Sequence, residues 1–199
     1  LDGYRLAVST EKMNSGQENH FIISAKIINE ISKIIAEDGD AEEVEIYLGK
    51  KKATFRIDTT EIVLRLMEGE YIKYRDIMPT QSTTDIVIGR AILQESIERA
   101  SLLAREGKNN LIKMTIKNNL LTITSRSEEG NVKEEIIMEK EGEDLEIGFN
   151  SKFVIDVLKV IDDDEISMHF LTGTSPCMVK PVSGDAYEYL ILPVRIPTM

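Results

Sequence analysis

The sequence has few of the residues on which most catalytic and metal-binding chemistry depends. It contains one cysteine and two histidines among 199 residues. A single cysteine, Cys177, excludes an intrachain disulfide and a cysteine-based zinc site, and it fits a reducing compartment. No apolar run approaches the roughly 18 residues that a membrane-spanning helix needs. We therefore expect a cytoplasmic protein with no membrane partner, no cofactor and no metal ion.

Basic residues are scarce relative to acidic ones, with 24 Lys and Arg against 35 Asp and Glu. The resulting net charge of −11 argues against tight binding of nucleic acid, since phosphate contacts need Lys and Arg. Net charge is a poor guide, however, when the basic residues lie on one face. The distribution of cations along the chain therefore matters more than the total.

Catalytic motifs are weak. His20 and His169 lie beside or within apolar strand-like segments, where a histidine more often has a structural role. Cys177, in "SPCMV", is interpreted as a buried small hydrophobe rather than a nucleophile. The sequence "GKK" at Gly49 lacks the earlier glycine and the following hydroxyl residue of a phosphate-binding loop. We find no nucleophile–base pair in the sequence, so nothing in it positively supports an enzymatic function.

What the sequence does contain is a threefold repeat. Segments that begin near residues 20, 85 and 145 each have a short apolar strand, one amphipathic helix, a polar loop and a β-hairpin. Ser24 and Asn150 are N-cap residue types, and hairpin turns are predicted at Gly49 and at Asn118-Asn119. One helix covers only one side of a half-domain, so two repeats should pair into a pseudo-twofold α+β domain. The second and third repeats form such a pair, and the first has no mate within the chain.

Lysines recur at a seven-residue spacing on two predicted helices. Lys26 and Lys33 share a face of the first helix, and Lys152 and Lys159 share a face of the third. Arg99 lies on the second helix, whereas acidic residues concentrate in loops and outer strands. An ordinary solvated helix face explains this pattern. A surface that lies near a phosphate backbone without reading bases explains it as well.

Four motifs, taken in order and at their separations, resemble the bacterial DNA polymerase III beta subunit family, the sliding clamp. They are "LDGYRLAV", "EGEYIKYRDIMP", "IGFNSKFVIDVLK" and "LILPVR". The resemblance covers nearly the whole chain and implies a DNA-clamp fold, in which β-α-β-β-β half-domains place helices inside and antiparallel sheets outside. It implies that residues 1–80 are the second half of the clamp middle domain and residues 81–199 the C-terminal domain. The chain is then expected to be a fragment that lacks the preceding one and a half domains.

The resemblance also implies a role in processivity rather than catalysis. Family members are non-catalytic accessory subunits of the polymerase holoenzyme, and two of them close into a homodimeric ring around double-stranded DNA without sequence preference. This implies a location in the bacterial cytoplasm, at the nucleoid. A ring needs no tight phosphate contact, which reconciles the acidic total with a DNA partner. The channel positions would be Lys26, Lys33, Arg99, Lys152 and Lys159.

The family has a pocket for short linear motifs of polymerase, clamp-loader and repair proteins, typically Gln followed by Leu and a Leu-Phe pair. The matching positions are Gly3, Tyr4, Arg5, Leu6, Ile72, Asp76, Ile77, Pro176, Leu190, Ile191, Leu192, Pro193, Val194 and Arg195. We expect the opening and closing strands to converge there, with Arg5 and Arg195 donating hydrogen bonds to peptide carbonyls. Ile72 and Asp76 stand where proline and a basic residue are common, which alters the rim. Ring contacts are implied at Leu102, Leu103, Glu134 and Glu135.

Two other interpretations stay open from the sequence. One is a small α+β enzyme or ligand-binding domain without a recognisable catalytic motif. The other is a structural protein whose repeats only assemble with each other. Binding of a linear-motif peptide separates the clamp interpretation from both.

Overall fold

The computed structural model describes residues 1–12, 19–37, 43–105 and 108–197. The helices are α1 (Ala25–Glu37), α2 (Arg90–Ala104) and α3 (Ser151–Leu158), with short 3₁₀ turns at Tyr74–Ile77 and Lys108–Asn110. The strands are β1 (Arg5–Ser9), β2 (Val44–Leu48), β3 (Lys52–Ile57), β4 (Thr60–Arg65), β5 (Thr84–Gly89), β6 (Leu111–Lys117), β7 (Leu120–Ser127), β8 (Gly130–Ile137), β9 (Glu139–Gly142), β10 (Leu145–Asn150), β11 (Glu165–Phe170), β12 (Cys177–Pro181) and β13 (Tyr187–Ile191).

The chain divides into two compact units. The large unit comprises Leu1–Lys12 and Tyr74–Met199, and the small unit comprises Met13–Lys73. The acidic loop predicted in the first repeat falls on residues 38–42 and lies outside the described residues. None of the helices in the described ranges is long and apolar enough to cross a membrane.

The small unit is a single half-domain, in which α1 packs on a three-stranded sheet of order β2-β3-β4. Ile31 of α1 and Phe55 of β3 belong to its core. The predicted turn at Gly49 is present, because its amide donates to the Lys52 carbonyl at 2.8 Å. Ile46 pairs with Phe55 and so faces the same side of the sheet, yet it remains 47% exposed. One helix therefore leaves part of this face uncovered, as expected for a half-domain.

The large unit is built from two β-α-β-β-β halves that exchange their first strands. Strand β5 begins the first half but pairs with β11 of the second, and β10 begins the second half but pairs with β6 of the first. The resulting sheets have the orders β1-β13-β12-β11-β5-β9 and β10-β6-β7-β8. This reciprocal exchange gives the predicted pseudo-twofold arrangement of the second and third repeats.

Both helices of the large unit share one hydrophobic core with the inward faces of the two sheets. Asn150 caps α3 as predicted, since its side chain accepts a hydrogen bond from the Lys152 amide at 3.0 Å. The predicted hairpin is also present, with Asn118 at φ 51° between β6 and β7. The outward faces of the sheets are left for other contacts, and the candidate site lies on one of them.

Candidate functional site

The first and last strands of the chain lie side by side. Strand β1 pairs with β13 in antiparallel register, with Arg5 opposite Ile191 and Leu6 opposite Leu190. The pairing continues beyond the strand, because the Leu192 amide donates to the Tyr4 carbonyl at 2.9 Å. The prediction that the two ends of the sequence converge is confirmed.

A row of three apolar side chains crosses the outward face at this junction. Leu6, Leu190 and Met178 are neighbours on β1, β13 and β12 and are 3%, 3% and 2% exposed. Tyr74 and Met78 pack against the row and are themselves partly buried. We call this group the apolar floor. It is separate from the main core of the large unit.

Met178 was missed by sequence reasoning, although strand alternation could have found it. Successive residues of a strand point to opposite faces, so Met178 must face away from Cys177. Cys177 is fully buried in the main core, which leaves Met178 for the outward face. The same alternation applies to Ile191, a predicted pocket residue. Its side chain is fully buried in the main core, so only its backbone borders the floor.

Exposed apolar side chains form the rim of the floor. Leu192 is 37% exposed and follows Leu190 on the same face, and Ile77 of the nearby 3₁₀ turn is 42% exposed. Tyr4 is 60% exposed, and Gly3 before it has φ 88°, a left-handed conformation that glycine adopts without strain. Pro176 is half-buried just before β12. Partly covered apolar side chains around a buried floor are suited to receiving the apolar side chains of a ligand.

The segment that follows β13 is held against β10. The Val194 amide donates to the Gly148 carbonyl at 2.8 Å. A Cβ on Gly148 would lie only 2.7 Å from the Val194 carbonyl oxygen and 2.9 Å from Cγ1 of Ile196. Gly148 is therefore needed for this close approach. Pro193 and Val194 are half-buried, and Arg195 is exposed.

Arg5 is already engaged within the protein. Its guanidinium donates to Asp2 at 2.7 and 2.9 Å and to Asp156 at 2.7 Å, and it lies 4.6 Å from the centre of the Phe153 ring. Tyr4 stacks on the same ring with 5.4 Å between centroids. The expectation that Arg5 donates to peptide carbonyls stays a prediction, and it would depend on the N–H groups that these internal contacts leave over. Arg5 is paired with Ile191, whose side chain faces the main core, so its visible role is to join β1 to α3 on the face of the sheet opposite the floor.

These contacts perturb the acidity of Asp2. Partial burial acts to raise the pKa of this carboxyl, but hydrogen bonds from the Tyr4 amide and from Arg5 outweigh burial. The pKa of Asp2 consequently lies below its ordinary value. The ionised form is thus the one that stabilises the start of β1.

Two predicted pocket residues are not part of this group of contacts. Asp76 is exposed on the 3₁₀ turn at Tyr74–Ile77. Ile72 belongs to the small unit and is 48% exposed. Neither belongs to the floor, and their assignment to the pocket stays a prediction.

The predicted channel lysines are exposed on their helices. Lys33 pairs with Glu30 at 2.9 Å within α1, and Lys26 is exposed near the start of the same helix. Lys152 is exposed in the first turn of α3, and Lys159 lies 4.0 Å from Glu98 of α2. Such exposed ion pairs contribute little to stability, so the lysines can leave their carboxylate partners and bind other anions.

Arg99 has a different environment from the lysines. Its guanidinium makes a two-pronged contact with Glu134 of β8, at 2.7 and 3.2 Å, and also donates to Ser96 at 3.0 Å. The hydrogen bond from Arg99 holds the pKa of Glu134 below its ordinary value. Two residues that were assigned to different surfaces, the channel and the ring contact, thus bind each other. The Glu134 charge is already matched within the chain.

The remaining predicted ring-contact residues surround the free edge of the four-stranded sheet. Strand β8 is an edge strand, and Leu102 on the neighbouring helix α2 is 63% exposed while Leu103 is half-buried. Glu135 pairs with Lys133 at 2.5 Å. Ile137, at the end of β8, is 86% exposed and was not predicted. An open strand edge with exposed aliphatic side chains is a surface for pairing with another chain.

Among the described residues, His169 and Cys177 have structural rather than catalytic surroundings. His169 contacts Asp85 at 2.7 Å and Ser167 at 3.1 Å, but Ser167 is almost buried and donates to the carbonyls of Lys180 and Pro181. Burial raises the pKa of the Cys177 thiol, which disfavours a thiolate. Among the described residues, no cluster of three or more His, Cys, Asp or Glu could hold a metal ion.

Solved structures share this architecture. The DNA polymerase III beta subunit of Thermotoga maritima matches with a TM-score of 0.92 and 32% identity, over 98% of this chain and 53% of its own. A sliding clamp of Pseudomonas aeruginosa, crystallised bound to griselimycin, matches with a TM-score of 0.90 and 28% identity, over the same shares. The fold is accordingly that of the DNA clamps, an α+β architecture of repeated half-domains.

Sequence comparison narrows this class to a family. Residues 75–195 match the model of the C-terminal domain of the DNA polymerase III beta subunit, and residues 1–73 match that of its central domain. The beta sliding clamp of Staphylococcus epidermidis is 38% identical over 197 residues, which are 98% of this chain and 52% of the relative. The chain belongs to the DNA polymerase III beta subunit family. It spans about half the length of the curated relatives that it matches.

Proposed function

We propose that this chain carries the partner-binding portion of a DNA polymerase processivity clamp. The observation that carries the proposal is the apolar floor, Leu6, Leu190 and Met178, which forms where the two ends of the sequence pair. Its occupant would be the Leu-Phe pair of a linear motif in polymerase, clamp-loader and repair proteins. The griselimycin complex of the Pseudomonas relative supports ligand binding by clamps of this fold.

The expected affinity follows from the size of the buried motif. Burial of a leucine and a phenylalanine side chain is worth roughly 1.5–3 kcal/mol each. Ordering a flexible peptide offsets much of this gain. Micromolar affinity is therefore expected for a short peptide.

Isothermal titration with a Gln-Leu-x-Leu-Phe peptide tests the proposal. Replacing the peptide's Leu-Phe pair with Ala-Ala should abolish binding. Leu192→Asp should weaken it, because this partly exposed rim residue would place a charge beside the motif. Val182→Asp is the matched control, since Val182 is also an exposed aliphatic side chain but lies outside the floor and rim. If the folded chain shows no heat of binding with millimolar peptide, the site assignment fails.

We also propose that residues 1–80 and 81–199 correspond to the second half of the middle domain and to the C-terminal domain. The matches to the central-domain and C-terminal-domain models support this assignment. In the full-length protein, a homodimeric ring would encircle double-stranded DNA in the bacterial cytoplasm, with no catalytic role. The residues facing the DNA would be Lys26, Lys33, Arg99, Lys152 and Lys159.

The 199-residue chain alone should bind DNA weakly, without sequence preference and with strong salt sensitivity. It should not close into a ring, because the resemblance assigns the other half of the ring contact to a first domain. Fluorescence anisotropy with linear duplex and light scattering measure both properties. Submicromolar DNA binding at physiological salt, or a closed dimer around a hole, would contradict these expectations.

A further inference from the structure

The four-stranded sheet borders a groove that the proposed function does not use, lined by residues of its outward face and also by Ala104 and Val132, which pack toward the core. It has a volume of about 590 Å³ and is bordered on one side by Ile196 and Pro197. Leu111 of β6 lies beside them, and Cγ1 of Ile196 and Cδ1 of Leu111 both approach the Gly148 position, within 2.9 and 3.0 Å of where a Cβ would stand. The segment after β13 therefore forms the wall of this groove.

Three basic residues line the groove on adjacent strands. Lys113, Thr124 and Lys133 are direct cross-strand neighbours on β6, β7 and β8, and Arg126 lies two residues beyond Thr124 on the same face. The opposite face carries the buried core residues such as Met114. Three cations on one face contrast with the net charge of −11.

Nearby glutamates partly neutralise the charges of the two lysines, whereas no residue in the described ranges neutralises the charge of Arg126. Lys113 lies 3.1 Å from Glu146, and Lys133 lies 2.5 Å from Glu135. Both glutamates are on the next row of the same sheet face. Arg126 makes no ion pair with any residue in the described ranges, and it is exposed. The groove thus retains an excess of positive charge.

The groove and the proposed peptide site are bordered by the same chain segment. Leu192 and Arg195 belong to the predicted pocket, and Ile196 and Pro197 follow in the same segment. The five steps from Leu192 to Pro197 span at most about 17 Å of extended chain. A partner peptide a few residues longer than the motif can therefore reach both places.

We propose that this groove binds an acidic segment that flanks the linear motif of a partner. The inference rests on the proposed function, since the motif itself would anchor the peptide at the apolar floor. Acidic side chains would meet Arg126 first and would compete with Glu146 and Glu135 for the two lysines. Because these contacts are exposed, the gain is moderate and sensitive to salt.

Calorimetry with peptides that share one Gln-Leu-x-Leu-Phe core tests the proposal. The flanks are four serines, four glutamates or four lysines, placed in turn at each end of the core. At low salt, the glutamate flank at one end should tighten binding about threefold to tenfold relative to serine, and lysine should weaken it. The advantage should shrink at high salt. The end that responds reports the direction of the bound peptide.

Variants separate a local groove from general attraction. Arg126→Gln combined with Lys133→Gln should remove the glutamate advantage and leave the serine-flanked affinity unchanged. Lys117→Gln is the control, because Lys117 is exposed on β6 outside the groove, and the advantage should persist. A glutamate flank without effect at either end, or an advantage that survives the double variant, overturns this inference while the motif site stands. Failure of the serine-flanked peptide to bind overturns both proposals.

Discussion

Replacing Gly148 with alanine should weaken peptide binding without unfolding the protein. The new Cβ would stand 2.7 Å from the carbonyl oxygen of Val194, which must retreat by about 0.7 Å to reach an ordinary contact. That shift would strain the 2.8 Å hydrogen bond from the Val194 amide to the Gly148 carbonyl. Since Leu192 and Pro193 immediately precede Val194, the rim of the peptide site moves with it.

The structure also sets the magnitude of this effect. Loss of one such hydrogen bond costs about 0.5–1.5 kcal/mol. If the peptide binds only when the segment after β13 returns to its original position, this cost corresponds to roughly a twofold to twelvefold loss of affinity. Replacing glycine with alanine also restricts the unfolded chain, which offsets about 0.4–1 kcal/mol of the cost once the segment has shifted to relieve the clash. We therefore expect a nearly unchanged midpoint of urea unfolding together with a several-fold weaker dissociation constant.

Gly89→Ala is the matched control for this experiment. Gly89 precedes α2 with φ −61°, and a Cβ there meets only one side-chain atom, Cγ2 of Ile92, at 3.3 Å, and no backbone atom. The same titration and urea unfolding apply to this variant, and its peptide affinity should equal that of the unmodified chain. If Gly148→Ala binds the peptide with unchanged affinity, the position of the segment after β13 does not matter for the site.

Three further predictions concern the floor, the acid range and the DNA-facing residues. Leu190→Ala removes a buried floor side chain and should lower the free energy of unfolding by about 2–5 kcal/mol in urea titrations; a loss below about 1 kcal/mol would mean that the floor collapses freely. Because the pKa of Asp2 is lowered in the folded protein, its carboxylate stabilises the fold at pH values above its pKa in the unfolded chain, about 3.9. Asp2→Asn should therefore lower the free energy of unfolding by its full amount at pH 7, and this loss should shrink as the pH falls below about 3.9. A loss that does not change with pH would refute the assigned contacts. Arg99→Ala should weaken DNA binding less than Lys152→Ala, because Glu134 already occupies Arg99, and anisotropy would contradict this if the two losses were equal.

Sequence periodicity was sufficient to predict the half-domains and the presence of a strand at each end of the chain. The strand-helix-hairpin order recurs visibly, and the caps and turns at Asn150, Asn118 and Gly49 follow from local chemistry alone. Convergence of β1 with β13 came from the family resemblance, since nothing local in either strand specifies its partner. Neither did periodicity reveal that β5 and β10 exchange sheets.

The ion pairs that changed the roles assigned to Arg5 and Arg99 could not be predicted from the sequence, for a physical reason. Arg5 meets Asp156 across 151 positions, and Arg99 meets Glu134 across 35, so these ion pairs depend on tertiary packing. Cationic residues on a helix look alike in sequence whether they face solvent or a carboxylate. Met178 was the exception, because alternation from Cys177 already determined its face.

Methyl spectra of methionine test the central claim most directly. The chain is labelled at its methionine methyl groups and titrated with the Gln-Leu-x-Leu-Phe peptide. Met178 of the floor and Met78, which packs against it, should shift as the peptide binds. Met114 and Met168, buried in the main core at 0% and 1% exposure, are internal controls and should not shift. Shifts confined to other methionines, or no shift with saturating peptide in a folded chain, would contradict the proposed site.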